Sequence, residues 1–491
     1  MIIMNKSVKC IIIIAFALNI LLAIVSPASI TTDTYCEQSS LLFDYDPLVN
    51  IELTIDILSI RALDEIDDDS DPDFFLTINI NDKEFVSPTW NDNRYLYNCW
   101  NITTDIPDDK EFVDIVISLY DYNTDGVRIC DLSPYDSDNI KTNTIQVVYN
   151  VKTGRWFGDD HLGDASGYGR VSGCDDGSIY ENEKDCEIFF NIYQSDYDGD
   201  NIPFWIETKM YGTDPFIDNR FDDYDDDSIP LYWEHYWGYD PLTAENHIQL
   251  DDDNDSVTNY EEFLTQAYGA DPFRKDLFLE IDFMNREPRG KTSDISENAI
   301  ELFKNPFHRR NIIVHVEAED NIPFDDFTDQ NELLNLYHEH FKQSVDTNWK
   351  RGVFHYGLFV HNCVPTGFSF AGDGPVIWGY LPGTNAFVVS ASMMERYQLV
   401  NQRETLDWFH ASVIMHEIGH NFGIRFGYPS GCDNQNTKYP WQLGWYLYRN
   451  YESIMNYRYT YEIFDYSDGS HGNRDFDDWS NINLSYFELP L

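Results

Sequence analysis

The sequence predicts a multidomain chain made of an all-β sandwich, an acidic repeat segment and an α+β domain. Three observations carry that division. Short segments of alternating polarity fill residues 45–195, an aspartate register recurs three times within 196–275, and strand-like and helix-like runs alternate through 276–491. A chain of 491 residues has room for two to four domains of ordinary size.

In the first part, Ile51-Glu52-Leu53-Thr54-Ile55-Asp56-Ile57 alternates apolar and polar residues, as a half-buried strand does. Phe74 to Ile80 and Phe112 to Tyr120 read as further strands between turn-rich loops, which predicts an antiparallel sandwich. The segments Ser70-Asp71-Pro72-Asp73-Phe74 and Asp121-Tyr122-Asn123 resemble the calcium loops of C-two type domains in pattern, though not in spacing. That resemblance implies that Asp64, Asp71, Asp121, Asn123 and Asp131 gather at one tip, in a calcium-bound structural sandwich or one that docks on lipid.

The repeats follow. Asp196, Asp198, Asp200 and Glu207 stand at positions 1, 3, 5 and 12 of a loop, as do Asp223, Asp225, Asp227 and Glu234, and again Asp251, Asp253, Asp255 and Glu262. Each loop carries an apolar residue just past its middle (Ile202, Ile229, Val257) and leads to Gly-x-Asp-Pro at Gly212, Gly238 and Gly269. Oxygen donors at 1, 3 and 5, a main-chain carbonyl at 7 and a glutamate at 12 are what Ca2+ needs to fill its coordination sphere. EF-hand loops share this spacing, but position 6 is Asn201, Ser228 or Ser256 instead of glycine, and no long amphipathic helix precedes the loops. The segment resembles thrombospondin type 3 repeats, which implies a calcium-stiffened spacer over 196–275. Without the cation, a dozen clustered carboxylates repel one another.

In the last part, Asp276–Met284, 312–318, 355–361 and 387–391 read as strands, and 293–304 and 331–345 as helices. Leu406, Phe409, Val413, His416 and His420 then recur at helical spacing, with Gly423 suited to a left-handed helix end. His416 and His420, four apart, present two imidazoles on one helix face, and Glu417 can hold and deprotonate a water on a metal that they share. His416-Glu417-Ile418-Gly419-His420-Asn421-Phe422-Gly423, followed by Ser453-Ile454-Met455-Asn456-Tyr457, resembles the zinc motif and methionine turn of metzincin proteases.

The resemblance implies a mixed sheet behind the motif helix, an edge strand for the substrate, and Met455 as the floor of the zinc site. It also implies Tyr457 as a donor to the tetrahedral oxyanion; a tyrosine packed under the turn is the other reading of that residue. Zinc would acidify a bound water towards about pKa 7, with Glu417 as the base that passes the proton to the leaving amine. One departure is Phe426, where the family has its third histidine, so another residue must complete the site. Asp433, in the loop after the helix, is the candidate third ligand, with Cys432 and His471 as alternatives. His338, His340, His355 and His361 read as surface or packed residues.

Location follows from the chain's start and its cysteines. Lys6 and Lys9 precede an apolar run, Cys10 to Val25, and Ser26-Pro27-Ala28 offers small residues for cleavage, so residues 1–28 read as a signal peptide, with an uncleaved anchor as the alternative, and the mature chain as secreted or at the extracellular surface. The 8 cysteines lack paired CxxC spacing and suit disulfides, with local order pairing Cys99 with Cys130, Cys174 with Cys186 and Cys363 with Cys432, and Cys36 left over. Sequons stand at Asn101, Asn254 and Asn483.

With 86 acidic against 32 basic residues, the formal charge of −54 argues against nucleic acid as a partner. Aromatic content of 16% marks a globular chain instead of an acidic disordered one. Together these features imply an extracellular zinc endopeptidase acting on protein or peptide substrates, with Zn2+ and Ca2+ as cofactors. The alternative is a non-enzymatic calcium-binding adhesion or peptide-binding protein with a degenerate protease domain.

Overall fold

A computed structural model describes residues 50–484 apart from 68–69, 125, 135–142, 161–166, 286–293, 319–320, 343–349, 364–366, 371–383, 403 and 426. The expected signal peptide (1–28), Cys10, Cys36 and Phe426 lie outside the described residues. The described chain holds three β-sheets with helices. No helix among the described residues is long and apolar enough to cross a membrane.

Ten antiparallel strands form the first two sheets: β1 (Ile51–Ala62), β2 (Phe74–Ile80), β3 (Lys83–Val86), β4 (Tyr95–Ile106), β5 (Phe112–Asn123), β6 (Gly126–Ile129), β7 (Ile145–Asn150), β8 (Arg155–Gly158), β9 (Gly169–Ser172) and β10 (Cys186–Gln194). One sheet runs β4-β1-β10-β9, the other β3-β2-β5-β7-β8 with β6 on β5. Alternation along β1 buries Ile51, Leu53, Ile55 and Ile57 against Leu76, Ile78, Ile115 and Val147 in one core. Each such side chain contributes roughly 1.5–3 kcal/mol of burial. A bulge at Leu58 resets the alternation, so Ile60 and Ala62 stay buried and β1 outruns the expected Ile51–Ile57 by five residues, to Ala62.

Each repeat consists of a loop followed by a short helix: Phe204–Ile206 continuing through Glu207–Tyr211, Leu231–Trp237, and Asn259–Thr265 continuing through Gln266–Tyr268. All three helices stop on a left-handed glycine, Gly212, Gly238 and Gly269, which opens the Gly-x-Asp-Pro signature. The repeats lie along the sandwich, where Gly167 N donates to Tyr236 O at 2.7 Å and Arg155 Nη2 to His235 O at 2.6 Å. Their last loop is joined to the third sheet, since Asp276 N donates to Asp255 Oδ2 at 2.7 Å.

The third sheet contains β11 (Asp276–Met284), β12 (Ile313–Glu317), β13 (Asn321–Ile322), β14 (Phe354–Val360), β15 (Gly367–Phe370) and β16 (Ala386–Ser390), in the order β12-β11-β14-β16-β15 with β13 on β11. Its pairings are parallel except at the edge, where β15 runs antiparallel to β16. Residues alternate between two cores: Leu277, Leu279, Phe387 and Val389 face helices α1 (Glu297–His308) and α2 (Leu406–Asn421), whereas Phe278, Tyr356, Leu358 and Val388 meet Leu333, Tyr337 and Phe341. Helix α1 starts later than the expected 293–304 because Ser296 is its cap, accepting from Ala299 N. The helix expected over 331–345 is Gln330–Leu336, capped by Asp329, and continues as a wider turn through Tyr337–Lys342.

The expected disulfides are not formed. None of the pairs Cys99–Cys130, Cys174–Cys186 and Cys363–Cys432 is bonded. Cys99 lies on β4 in one sheet while Cys130 follows β6 in the other; Cys130 is beside Cys186, because the flanking Asp131 and Asp185 form a parallel bridge and Cys186 N donates to Asp131 O at 2.9 Å. Cys174 Sγ instead donates to Asp185 Oδ2, and Cys363 and Cys432 belong to separate cores.

Candidate metal centre

Thr405 caps α2 by accepting from Trp408 N at 3.2 Å, and the helix ends in a turn where Gly423 N donates to His420 O and Ile424 N to Gly419 O. Within it, His416, Glu417 and His420 are each about 5–6% exposed. His416 Nδ1 lies 2.9 Å from Ile454 O and His420 Nδ1 2.6 Å from Ile424 O. A proton on each Nδ1 therefore donates to main chain, and both Nε2 atoms turn to the same point.

Asp433 stands at that point. Its Oδ1 is 3.0 Å from His416 Nε2 and its Oδ2 3.2 Å from His420 Nε2. The loop that delivers it rests on the segment containing Met455, with Asp433 N donating to Met455 O at 3.1 Å. Met455 packs under the helix so tightly that a Cβ at Gly419 would come within 2.6 Å of its Sδ. Ser453 and Tyr451, both bonded to Asp478, fix this turn from below.

Charge in the pocket follows from that geometry. Burial opposes ionisation of Asp433, but the two imidazoles outweigh it and hold the carboxyl well below its usual range. In return the aspartate lifts His420 to about 9 against the effect of burial. Two imidazole nitrogens and a carboxylate, all buried and within ligand distance of one another, form a group that could hold a metal ion.

Glu417 points beside the donors and not among them. Ser369 on the edge strand β15 donates to Glu417 O at 2.6 Å and lies 3.1 Å from Glu417 Oε2. A Cβ at Gly367, two residues before, would come within 3.0 Å of Glu417 Oε1, so glycine gives the carboxylate its space. Burial raises the Glu417 carboxyl above its ordinary value. Tyr457 stacks on His416, centroids 5.8 Å apart, with its hydroxyl hydrogen-bonded to Asp433. Cys432 is buried in the core, and His471 forms a separate exposed group with Asp468 and Asp475.

The three repeat loops share a second kind of site. Positions 4 and 6 are left-handed throughout: Gly199 and Asn201, Asp226 and Ser228, Asn254 and Ser256. The loop therefore adopts at position 6 the conformation that glycine supplies in an EF-hand. One oxygen of each position-3 and position-5 aspartate accepts a main-chain amide two residues on: Asp198 from Asp200, Asp200 from Ile202, Asp225 from Asp227, Asp227 from Ile229, Asp253 from Asp255 and Asp255 from Val257.

The second oxygens of Asp198, Asp200, Asp225 and Asp253 are buried with no hydrogen-bond partner among the described residues, as are Glu262 Oε2 and both carboxylate oxygens of Glu234. Burial and the neighbouring carboxylates push Glu207 to about 8, Glu234 to about 9, Asp253 to about 9 and Asp255 to about 8. Orphaned oxygens packed this densely fit an oxygen-seeking cation.

The aspartates at the sandwich tip serve as loop anchors. Asp64 Oδ2 accepts the amides of Glu183, Lys184 and Asp185, and Asp131 Oδ1 that of Ser133. Asp121 accepts from Asp73 N and Asn123 Nδ2, while exposed Asp71 faces Arg94. Sequence reasoning missed Ser369, Gly367 and His247, whose neighbours are set by strand pairing and packing.

No protein-family model matches the chain, and no curated protein does. A solved C2 domain matches at 10% identity with a TM-score of 0.19, covering 30% of this chain and 98% of that one. Human GIVD cytosolic phospholipase A2 in complex with methyl gamma-linolenyl fluorophosphonate matches at 15% identity and TM-score 0.19, covering 30% of this chain and 17% of that one. A C2-type domain of plant extended synaptotagmin 1 matches at 11% identity and TM-score 0.18, covering 29% of this chain and 94% of that one.

Proposed function

We propose that the chain is a secreted, calcium-stabilised zinc endopeptidase of the metzincin type, with 45–195 as a β-sandwich, 196–275 as calcium-binding repeats and 276–491 as the catalytic part. The observation that carries this reading is the convergence of His416 Nε2, His420 Nε2 and the Asp433 carboxylate beside Glu417. Asp433 takes the part that the third histidine has in the family, which removes the difficulty posed by Phe426.

When bound there, zinc supplies a Lewis acid for the scissile carbonyl and acidifies a water. Glu417, kept from the donor set and raised by burial, is suited to take that water's proton and return it to the leaving amine. Tyr457 can turn from Asp433 to donate to the developing oxyanion. Strand β15 lies at the edge of its sheet among the described residues, next to Glu417, where an extended peptide can add as a further strand. The orphaned oxygens of the repeats support calcium at the loops.

The test is hydrolysis of a denatured protein by the full chain in calcium, with zinc measured in parallel. Zinc that is lost in a His416→Ala/His420→Ala variant, with cleavage lost in Glu417→Gln, supports the peptidase. A chain with no zinc at this site and no cleavage is instead a calcium-binding adhesion or peptide-binding protein.

A further inference from the structure

His247 stands outside the aspartate register, in the turn between the second and third repeats, 13 positions beyond Glu234. It is 1% exposed. Its ring is held edge-on between Trp233 and Tyr239, at centroid distances of 5.8 and 5.0 Å. That cage aims Nε2 into the second loop, 3.3 Å from Asp227 Oδ2 and 3.9 Å from Glu234 Oε1, with Glu245 Oε2 also at 3.9 Å.

Nε2 has no hydrogen-bond partner among the described residues, and neither oxygen of Glu234 has one, although the glutamate is fully buried. Asp227, Glu234 and His247 lie within ligand distance of one another, with Asp223 and Asp225 completing the surroundings. On the far side of the ring, the Asn259 amide lies 3.3 Å from Nδ1, and its Oδ1 has no partner among the described residues. Rotating that amide end for end makes Oδ1 an acceptor for Nδ1–H and leaves the Nε2 lone pair facing the carboxylates.

We propose that the second repeat loop is a site for an imidazole-favouring first-row divalent cation, Zn2+ being the probe, held by His247, Asp227 and Glu234, so that the three repeats are not equivalent. This rests on the reading of the repeats as cation loops. Ca2+ takes oxygen donors, whereas an imidazole beside two carboxylates favours the zinc class. In the first loop the inner carboxylates face Asp218 and Arg220, and in the third they face Asp276.

The experiment counts zinc and calcium per chain after equilibration of the full-length protein in both ions, for the wild type, His247→Gln, Glu234→Gln and His416→Ala/His420→Ala. The expected wild-type result is two zinc ions, one of which is lost in His247→Gln and in Glu234→Gln and the other in the double histidine variant. Loss of a ligand should weaken the loop's zinc affinity by at least about 100-fold, since disturbing a ligand's outer partner alone costs about 10–100-fold.

Circular dichroism and a calcium-dependent melt show whether each variant is folded, and a folded protein from either single variant suffices. Wild-type zinc content unchanged in the folded variants, or three calcium ions per chain in the presence of zinc, would overturn the proposal. Zinc lost with His247 but not with His416 and His420 would sustain it while removing the peptidase reading; no calcium at all with zinc still lost in His247→Gln would sustain it while removing the calcium repeats.

Discussion

Ser369 on the edge strand and Glu417 on the motif helix are bound to each other, the serine hydroxyl lying 2.6 Å from the glutamate's carbonyl and 3.1 Å from its Oε2. The group read as the general base is therefore aimed by the same strand that would receive a peptide. Glu417→Gln is expected to lower kcat by about 10²–10⁴-fold with zinc retained. Ser369→Ala removes a hydrogen bond to a charged group, worth roughly 1.5–3 kcal/mol, and should lower kcat by about 10–100-fold. Steady-state kinetics with metal analysis checks both; zinc loss in Glu417→Gln would contradict the assigned roles.

Gly419→Ala should destabilise the chain by about 1–3 kcal/mol, because its Cβ would meet Met455 Sδ at 2.6 Å and Tyr466 at 3.1 Å. Urea unfolding measures this. The same variant should bind zinc more weakly, since displacing Met455 moves the carbonyl that holds the Asp433 amide.

Acid should loosen the joint between the sandwich and the third sheet in two steps. Burial lowers His308 to about 4, so it stays neutral when folded and donates Nδ1–H to Glu187 at 2.6 Å. Unfolding frees it to bind a proton, and stability falls as pH drops from 6.5 towards 4, by on the order of 3 kcal/mol. Burial favours protonation of Glu187, but His308, Arg170 and Arg61 hold it at about 2, so its contribution is present above 4.5 and lost between 4.5 and 2. Urea midpoints at pH 7, 5 and 3.5 should fall in that order, and His308→Phe should flatten the step between 7 and 5.

Chelation should act on the repeats first. With its cation at about 100 times the dissociation constant, each loop contributes about 2.7 kcal/mol, so EDTA should lower Tm by roughly 5 °C or more. Proteolysis of the chelated chain should begin within 196–275, where buried carboxylates are left unneutralised. Mass spectrometry of the first fragments locates the cut.

The motif helix was legible because helical spacing alone sets His416 and His420 on one face, and Asp433 because it follows in the adjoining loop. The loops were legible because their carboxylates keep a fixed 1-3-5-12 register. His247 was not, since only the turn after Pro241 and the Trp233–Tyr239 cage bring it back to Glu234. Strand β15 was hidden by its length: Gly-Phe-Ser-Phe is too short for a period and owes its place to pairing with β16. The Cys99–Cys130 pairing went astray because Cys99 entered one sheet while Cys130 follows a strand of the other, which chain order cannot reveal.

Helix α1 faces two ways. Ala299, Phe303 and Phe307 pack into the core shared with Ile418 of the motif helix and Phe422 just past its end, while Glu301, Asn305 and His308 meet Arg61, Arg170 and Glu187 of the sandwich. An excised C-terminal half would carry Glu301 and His308 into water without their guanidinium partners and lose the clamp on the helix that backs His416 and His420. The sandwich thus braces the helix behind His416 and His420, and a cut at 276 would part Glu301 and His308 from Arg61 and Glu187.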